Sequence, residues 1–465
     1  MKQFNKKVLS ATVSMMMTWA VCGSIQTSVA SDIEIYKDAA AGKVTLFMMF
    51  DTSGSMGHGD GYWAYDRWGW IVHGEDTVNA RNSPSSLVED YNVCKWDYTR
   101  SLSLGGWIYT YSDNTKTDKK IDYKVGNGTT KSFYPTYCSV NQSTFNNLNS
   151  TYKSRIEKEC EKTGGGFPYV CYDRISRLKM AMIKLLTGNQ ILNTTRIGIG
   201  QFSSPVNSDQ FSHDGKSAKI LYPVVELTPA NREKLLEKIV SLDVYNGTPS
   251  AMAYAESAAY LLGVNTSGMT NSGYAYSDAN TTPKIRNDKG YVSPLAGINT
   301  SSQCNGQGIY FLTDGFANNS YTATQTMMEE VLGENLSGTG LTGSSPSGND
   351  PTQGWPEIGK FAKLLRNEKY IKTAVVGFGS LFPNDPTYVK TLTNTRNKPS
   401  TYYDCSKLPN PNESGIGNQE KSNRQDLINT CNWGAKPQSD IIAADRSQIP
   451  SSVGGYGNGG FYSAQ

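Results

Sequence analysis

The feature that most constrains this chain is an alternation of short apolar runs with helical stripes. Residues 44–50 read VTLFMMF, an almost unbroken apolar run. A strand carries such a run only when both of its faces are covered. Residues 197–202, 309–312 and 373–378 have the same character, and a last strand is expected at 461–464. Between these runs, apolar residues recur at helical spacing. Ile175, Leu178, Met182, Leu185 and Leu186 form one stripe. Leu235, Leu236, Ile239 and Val240 form another behind Thr228-Pro229, a cap followed by proline at the first helical position. Ala251, Ala255, Ala258, Ala259 and Leu262 follow Thr248-Pro249, and Ile358, Phe361, Leu364 and Leu365 follow Trp355-Pro356. The alternation predicts an α/β fold: a doubly wound, mostly parallel central sheet flanked by helices.

Long irregular stretches separate the regular units. Residues 57–172 are rich in Gly, Tyr, Trp and Asn, 264–303 and 395–450 share that texture, and 337–353 reads as a flexible loop. Loops of such length inside a compact domain call for a function or for disorder. We read 57–172, 264–303 and 395–450 as insertions into one α/β domain covering residues 31–465, with disulfides replacing the core they lack. A separate small domain at 57–172 is the alternative.

The first 30 residues combine a basic stub (Lys2, Lys6, Lys7), an apolar stretch from Val8 to Val21 and small residues up to Ala30. This is the layout of a secretory signal peptide cut after Ala30. No segment approaches the ~20 apolar residues of a membrane span. The mature chain is therefore expected to be exported and to sit at the cell surface, without a transmembrane segment. Of the 44 basic residues, the leader holds three, which leaves as many as the 41 acidic ones. Such a near-neutral chain, without a basic stripe, gives nucleic-acid binding little electrostatic support. Seven cysteines follow the leader: Cys94, Cys138, Cys160, Cys171, Cys304, Cys405 and Cys431. In an oxidising compartment they read as disulfides. Close spacing favours Cys160–Cys171 and Cys405–Cys431, with Cys94–Cys138 a third and Cys304 left over, although spacing alone does not fix connectivity. No CxxC pair is present and His58, His73 and His213 are scattered, which argues against zinc.

Three strand-end features carry the chemistry. Asp51-Thr52-Ser53-Gly54-Ser55 follows the first apolar run, Asn246-Gly247-Thr248-Pro249 opens the alanine-rich helix, and Thr313-Asp314-Gly315 follows another strand. Each alone is an ordinary turn or cap. In open parallel sheets, however, strand ends converge on one crevice. There Asp51, Ser53, Ser55, Thr248 and Asp314 would supply only hard oxygen ligands. Such a set suits one divalent cation, Mg²⁺ first, with Mn²⁺ or Ca²⁺ as alternatives, and leaves a coordination position open. A hydrolytic use of Ser53 or Ser55 would need an adjacent base. His58 lies in a glycine-rich loop and GxSxG is absent, so no enzymatic activity is expected.

The ordered trio resembles the von Willebrand factor A domain and its metal-ion-dependent adhesion site, DxSxS…T…D, matched at Asp51, Ser53, Ser55, Thr248 and Asp314. The resemblance spans about 44–263 and 308–379. It implies a divalent cation completed by a carboxylate from a partner protein. More narrowly, the insertion directly after DTSGSM, the loop NGTPSAMAYA, and the stretch from Tyr291-Val292-Ser293-Pro294 through Cys304 to Gly315 resemble the N-terminal region of the PilC/PilY type IV pilus tip-associated adhesins. That likeness implies a protein ligand on a host cell or surface, pilus minor subunits as partners, and roles in attachment, pilus biogenesis or twitching motility. Those adhesins continue into a calcium-binding β-propeller. Here the final helix of an A domain and any propeller are expected to be absent, since the chain stops at Gln465. A free-standing secreted A domain, serving as a structural or assembly component of the envelope or pilus, is the alternative.

Overall fold

A computed structural model describes most of residues 44–464. It leaves out 1–43 and 465, the stretches 57–62, 66–70, 74–96, 205–214, 302–305, 347–351, 394–398 and 437–454, and several shorter breaks, 245–246 and 315–316 among them. Six strands form one sheet: β1 (Val44–Asp51), β2 (Arg196–Ser204), β3 (Ser217–Glu226), β4 (Gly306–Thr313), β5 (Lys372–Phe378) and β6 (Asn458–Ala464). Their order across the sheet is β3-β2-β1-β4-β5-β6. β1 runs parallel to both β2 and β4, β5 is parallel to β4, and β6 is parallel to β5. Edge strand β3 runs antiparallel to β2.

Every residue of β1 is buried, as its apolar run requires. Because side chains alternate along a strand, that run divides between two cores. Phe47 and Met49 join one apolar cluster, Leu46, Met48 and Phe50 the other. Six helices supply the covering layers: α1 (Arg174–Thr187), α2 (Pro229–Val240), α3 (Ser250–Leu262), α4 (Thr322–Leu332), α5 (Trp355–Glu368) and α6 (Asn418–Gly434). α1 and α2 pack on the Met48 face through Leu178, Met182, Leu235 and Leu236. α3, α4, α5 and α6 pack on the Phe47 face through Ala255, Met327, Phe361 and Trp433. Each such large apolar side chain contributes on the order of 1.5–3 kcal/mol when withdrawn from water. The result is the mixed α/β architecture with helices on both faces of a mostly parallel sheet.

The expected strands and the four striped helices all form. The texture expected of 395–450 needs correction, because α6 is a seventeen-residue helix in this stretch and its Cys431 and Trp433 are wholly buried in the main core. Trp433 packs against Tyr254 and Phe311 with ring centroids 4.9 and 4.5 Å apart. α6 follows a strand pair, Val389–Thr393 with Pro399–Tyr403. The 57–172 stretch holds a small sheet in which Tyr137–Val140 and Tyr169–Tyr172 pair antiparallel, and its Tyr123, Val125 and Phe133 join the α1/α2 core.

Two disulfides match the spacing argument, Cys160–Cys171 and Cys405–Cys431. Cys94, Cys304 and the side chain of Cys138 lie outside the described residues, as does the expected signal peptide. Among the described residues no helix is long and apolar enough to cross a membrane.

Candidate functional site

The chain order reverses between β1 and β4. From β1 the chain steps outward to β2 and β3, then returns to the other side of β1 at β4. The crevice beyond the carboxyl ends of two such strands is where doubly wound sheets bind ligands. Phe50 pairs with Leu312, so Asp51 and Thr313 leave the sheet side by side.

Asp51 is fully buried and both of its carboxylate oxygens accept hydrogen bonds. The Ser53 amide donates to Oδ1 at 2.8 Å. The Thr313 hydroxyl donates to Oδ2 at 2.9 Å, with the Asp314 amide at a longer 3.4 Å. Thr52 fastens the loop to β2, since its hydroxyl and its amide both donate to the Phe202 carbonyl, at 2.6 and 3.1 Å. The next residue of β2, Ser203, is buried with φ of 68°, a left-handed backbone that non-glycine residues adopt at a cost of about 1–2 kcal/mol. Ser53 Oγ and Ser55 Oγ lie 2.8 Å apart and share a hydrogen bond.

Asp314 follows β4 and is 1% exposed. Its Oδ2 accepts from Arg174 Nη1 at 3.1 Å, and the same nitrogen donates to the Ser55 carbonyl at 3.1 Å. Its Oδ1 has no hydrogen-bond partner among the described residues. Thr248 is held to the segment after β4 at Asn318: the Thr248 amide donates to Asn318 Oδ1 at 2.6 Å, and the Asn318 amide donates to the Thr248 carbonyl at 2.8 Å. Gly247 makes this approach possible. Its φ is +69°, and a Cβ there would sit 2.4 Å from Asn319 Nδ2 and 2.9 Å from the Gly215 carbonyl. Thr248 does not cap α3, which starts without a side-chain cap. Of the five expected residues, Asp51, Ser53, Ser55 and Asp314 are thus linked directly or through Arg174, whereas Thr248 bonds to Asn318, four residues after Asp314. Asn246, Gly315 and His58 lie outside the described residues.

Burial, reinforced by the charge of Asp314, pushes the Asp51 carboxyl up to about 7, against the opposing pull of its hydrogen bonds from Ser53 and Thr313. Two carboxylates in so dry a place are offset by positive charge or by protonation, and Arg174 supplies one positive charge at Asp314. Among the described residues no group of three or more His, Cys, Asp or Glu is gathered, so a cation here would rest on two carboxylates and hydroxyls. The residues fit one: the set is all hard oxygen, and Asp314 Oδ1 is a buried acceptor without a donor.

The motif reading misses Arg174 and Asn318, and it quotes Thr313 without giving it a role. Thr313 and Asn318 flank Asp314 within the stretch TDGFANN and could have been marked by their spacing from it. Arg174 lies 119 residues from Ser55, across the largest insertion, and no local signal announces it.

No family model matches the chain, and no curated protein matches it. Among solved structures, the chain is similar to the crystal structure of the pilus adhesin SpaC from Lactobacillus rhamnosus GG, with 13% sequence identity over 62% of this chain and 36% of that chain and a TM-score of 0.24. The match thus spans about a third of that protein's length, and a likeness this loose carries no argument about fold or function.

Proposed function

We propose that this chain is a metal-dependent adhesion module of the von Willebrand factor A type, belonging to a type IV pilus-associated tip adhesin exported to the cell surface. Asp51, Ser53, Ser55, Thr248 and Asp314 would hold one divalent cation, Mg²⁺ in the first place, and that cation would supply a Lewis-acidic position for a carboxylate of the partner protein. The observation that carries the reading is Asp314: buried, next to a second buried carboxylate at the switch point of the sheet, with one oxygen unpartnered among the described residues. The hydroxyls of Ser53 and Ser55 face each other, an arrangement that suits oxygen donors to a cation better than an activated nucleophile. The reading is one of binding, with the pilus minor subunits and a surface protein as partners.

Asp51→Ala tests it. The variant should lose Mg²⁺ or Mn²⁺ affinity by at least about a hundredfold, or roughly 2.7 kcal/mol, measured by calorimetry, and should lose cation-dependent attachment to host cells or surfaces. Unchanged cation affinity would remove the site. Cation binding without cation-dependent attachment would favour a structural or assembly component of the envelope or pilus.

A further inference from the structure

We infer that Arg174 sets the charge of this site, so that the cation held there retains a net pull on a singly charged acidic ligand. The inference rests on the cation-binding reading above and deepens it. Arg174 is 3% exposed and its Nη1 bridges the Ser55 carbonyl and Asp314 Oδ2, each at 3.1 Å. One guanidinium nitrogen thus ties the loop after β1 to the residue after β4, and it engages one Asp314 oxygen while the other has no partner among the described residues. Room for the side chain comes from Gly379, directly after β5, where a Cβ would lie 3.1 Å from Arg174 Nε.

Asp51 and Asp314 alone would neutralise a divalent cation and leave little attraction for a further anion. Arg174 adds one positive charge that cannot be released, since a guanidinium stays protonated. The loaded site then carries one net positive charge, which a single carboxylate cancels. Asp173, the preceding residue, is committed elsewhere: its carboxylate caps α1 by accepting from the Ser176 amide at 2.8 Å. Arg177, on the same turn, lies 5.2 Å from the Phe378 ring centroid and carries a charge equal and opposite to that of Asp173, so these two neighbours leave the count unchanged.

The test uses the full chain and two affinities, that of Mn²⁺ for the protein and that of acetate for the Mn²⁺-loaded protein, read by electron paramagnetic resonance and by water-proton relaxation. Arg174→Gln removes a positive charge beside the cation. It should tighten Mn²⁺ binding and weaken acetate binding, each by about tenfold or more. Arg174→Lys keeps the charge and should stay within about threefold of the wild type in both affinities. Arg174→Met, which keeps the aliphatic stem, should repeat the opposite shifts should Arg174→Gln fail to fold. A purely structural role would lower both affinities together, and that result, or no shift in either, would overturn the inference. Wild-type protein that binds no Mn²⁺ would overturn the adhesion reading itself, whereas Mn²⁺ binding without opposite shifts would remove only the role of Arg174.

Discussion

Glu256, in the middle of α3, is a single residue that ties the 264–303 insertion to the main core. It is fully buried and accepts from the Thr266 hydroxyl and the Gly273 amide, both at 2.9 Å, and from the Tyr291 hydroxyl. Burial pushes its carboxyl up from 4.5 to about 7, with those donors pulling it only part of the way back. A carboxyl whose folded-state value is raised leaves stability at its full level below about 4.5 and removes it progressively as pH climbs to about 7. At about pH 4.5 the folded Glu256 carboxyl is protonated and, like a glutamine amide, offers a donor of its own, so Glu256→Gln should lie near the wild type there. By about pH 7.5 the wild type has lost stability that the non-titrating variant keeps, and the variant should be the more stable of the two, as read from urea midpoints. A gap that stays constant would assign the pH dependence to other groups, Asp426 first, whose carboxyl burial raises to about 6. At this scale the sequence is legible where chemistry is local. Asp51, Ser53 and Ser55 sit within one turn, and Asp314 directly follows an apolar strand. Arg174 and Glu256 are not legible, because a charged residue in a helix reads as a solvated face until tertiary packing closes over it.

At the scale of elements, two Thr-Pro pairs that look alike do different work. Thr228 is a true cap: its hydroxyl accepts from the Asn231 amide at 3.3 Å at the start of α2. Thr248 precedes α3, whose first turn has no side-chain cap, and it is pinned instead to Asn318. Thr228→Ala should cost about 1 kcal/mol of stability and leave cation affinity alone. Thr248→Ala should spare the denaturant midpoint and weaken Mn²⁺ binding, and Thr248→Ser should restore it. Equal losses of stability in the two alanine variants would return Thr248 to the ordinary role of a cap. The elements that the pattern does not reveal have physical reasons for being hidden. β3 carries Pro223 and Lys219 within SAKILYPVVE, and an edge strand tolerates a proline that a central strand could not. Its pairing with β2 is also irregular between Ile197 and Gly200. α6 has no clear apolar stripe, because three of its buried residues are polar and are satisfied one by one. Asp426 accepts from Trp355 Nε1 at 2.7 Å, the Asn429 amide donates to the Thr342 carbonyl at 2.6 Å, and the Thr430 hydroxyl donates to the Asp426 carbonyl at 2.8 Å.

At the scale of the whole molecule, periodicity announces a parallel sheet but not the order of its strands. That order is decided by which helix covers which face, and it puts β1 and β4 at the reversal where the two aspartates meet. The same packing explains why the Cys405–Cys431 disulfide is a global device. Cys431 is wholly buried on α6, and the bridge closes a sequence separation of 26 residues. Gly434, at the end of α6, lets the helix end sit against the sheet, since a Cβ there would lie 2.5 Å from the Gly460 carbonyl and 2.7 Å from the Val375 amide. Loosening the bridge therefore frees the helix that carries Trp433 into the aromatic core between β4 and α3. For a loop of this length the expected cost is about 3–4 kcal/mol in the chain-entropy account. The paired variant C405A/C431A should show that loss as a lowered denaturant midpoint with a somewhat steeper slope, because the denatured chain without the bridge is less compact and exposes more surface. Its affinity for Mn²⁺ under native conditions should stay near the wild-type value, since neither cysteine is among the residues proposed to hold the cation. A midpoint unmoved by the double substitution would mean that α6 is held by its side-chain packing alone, with the disulfide an accessory to it.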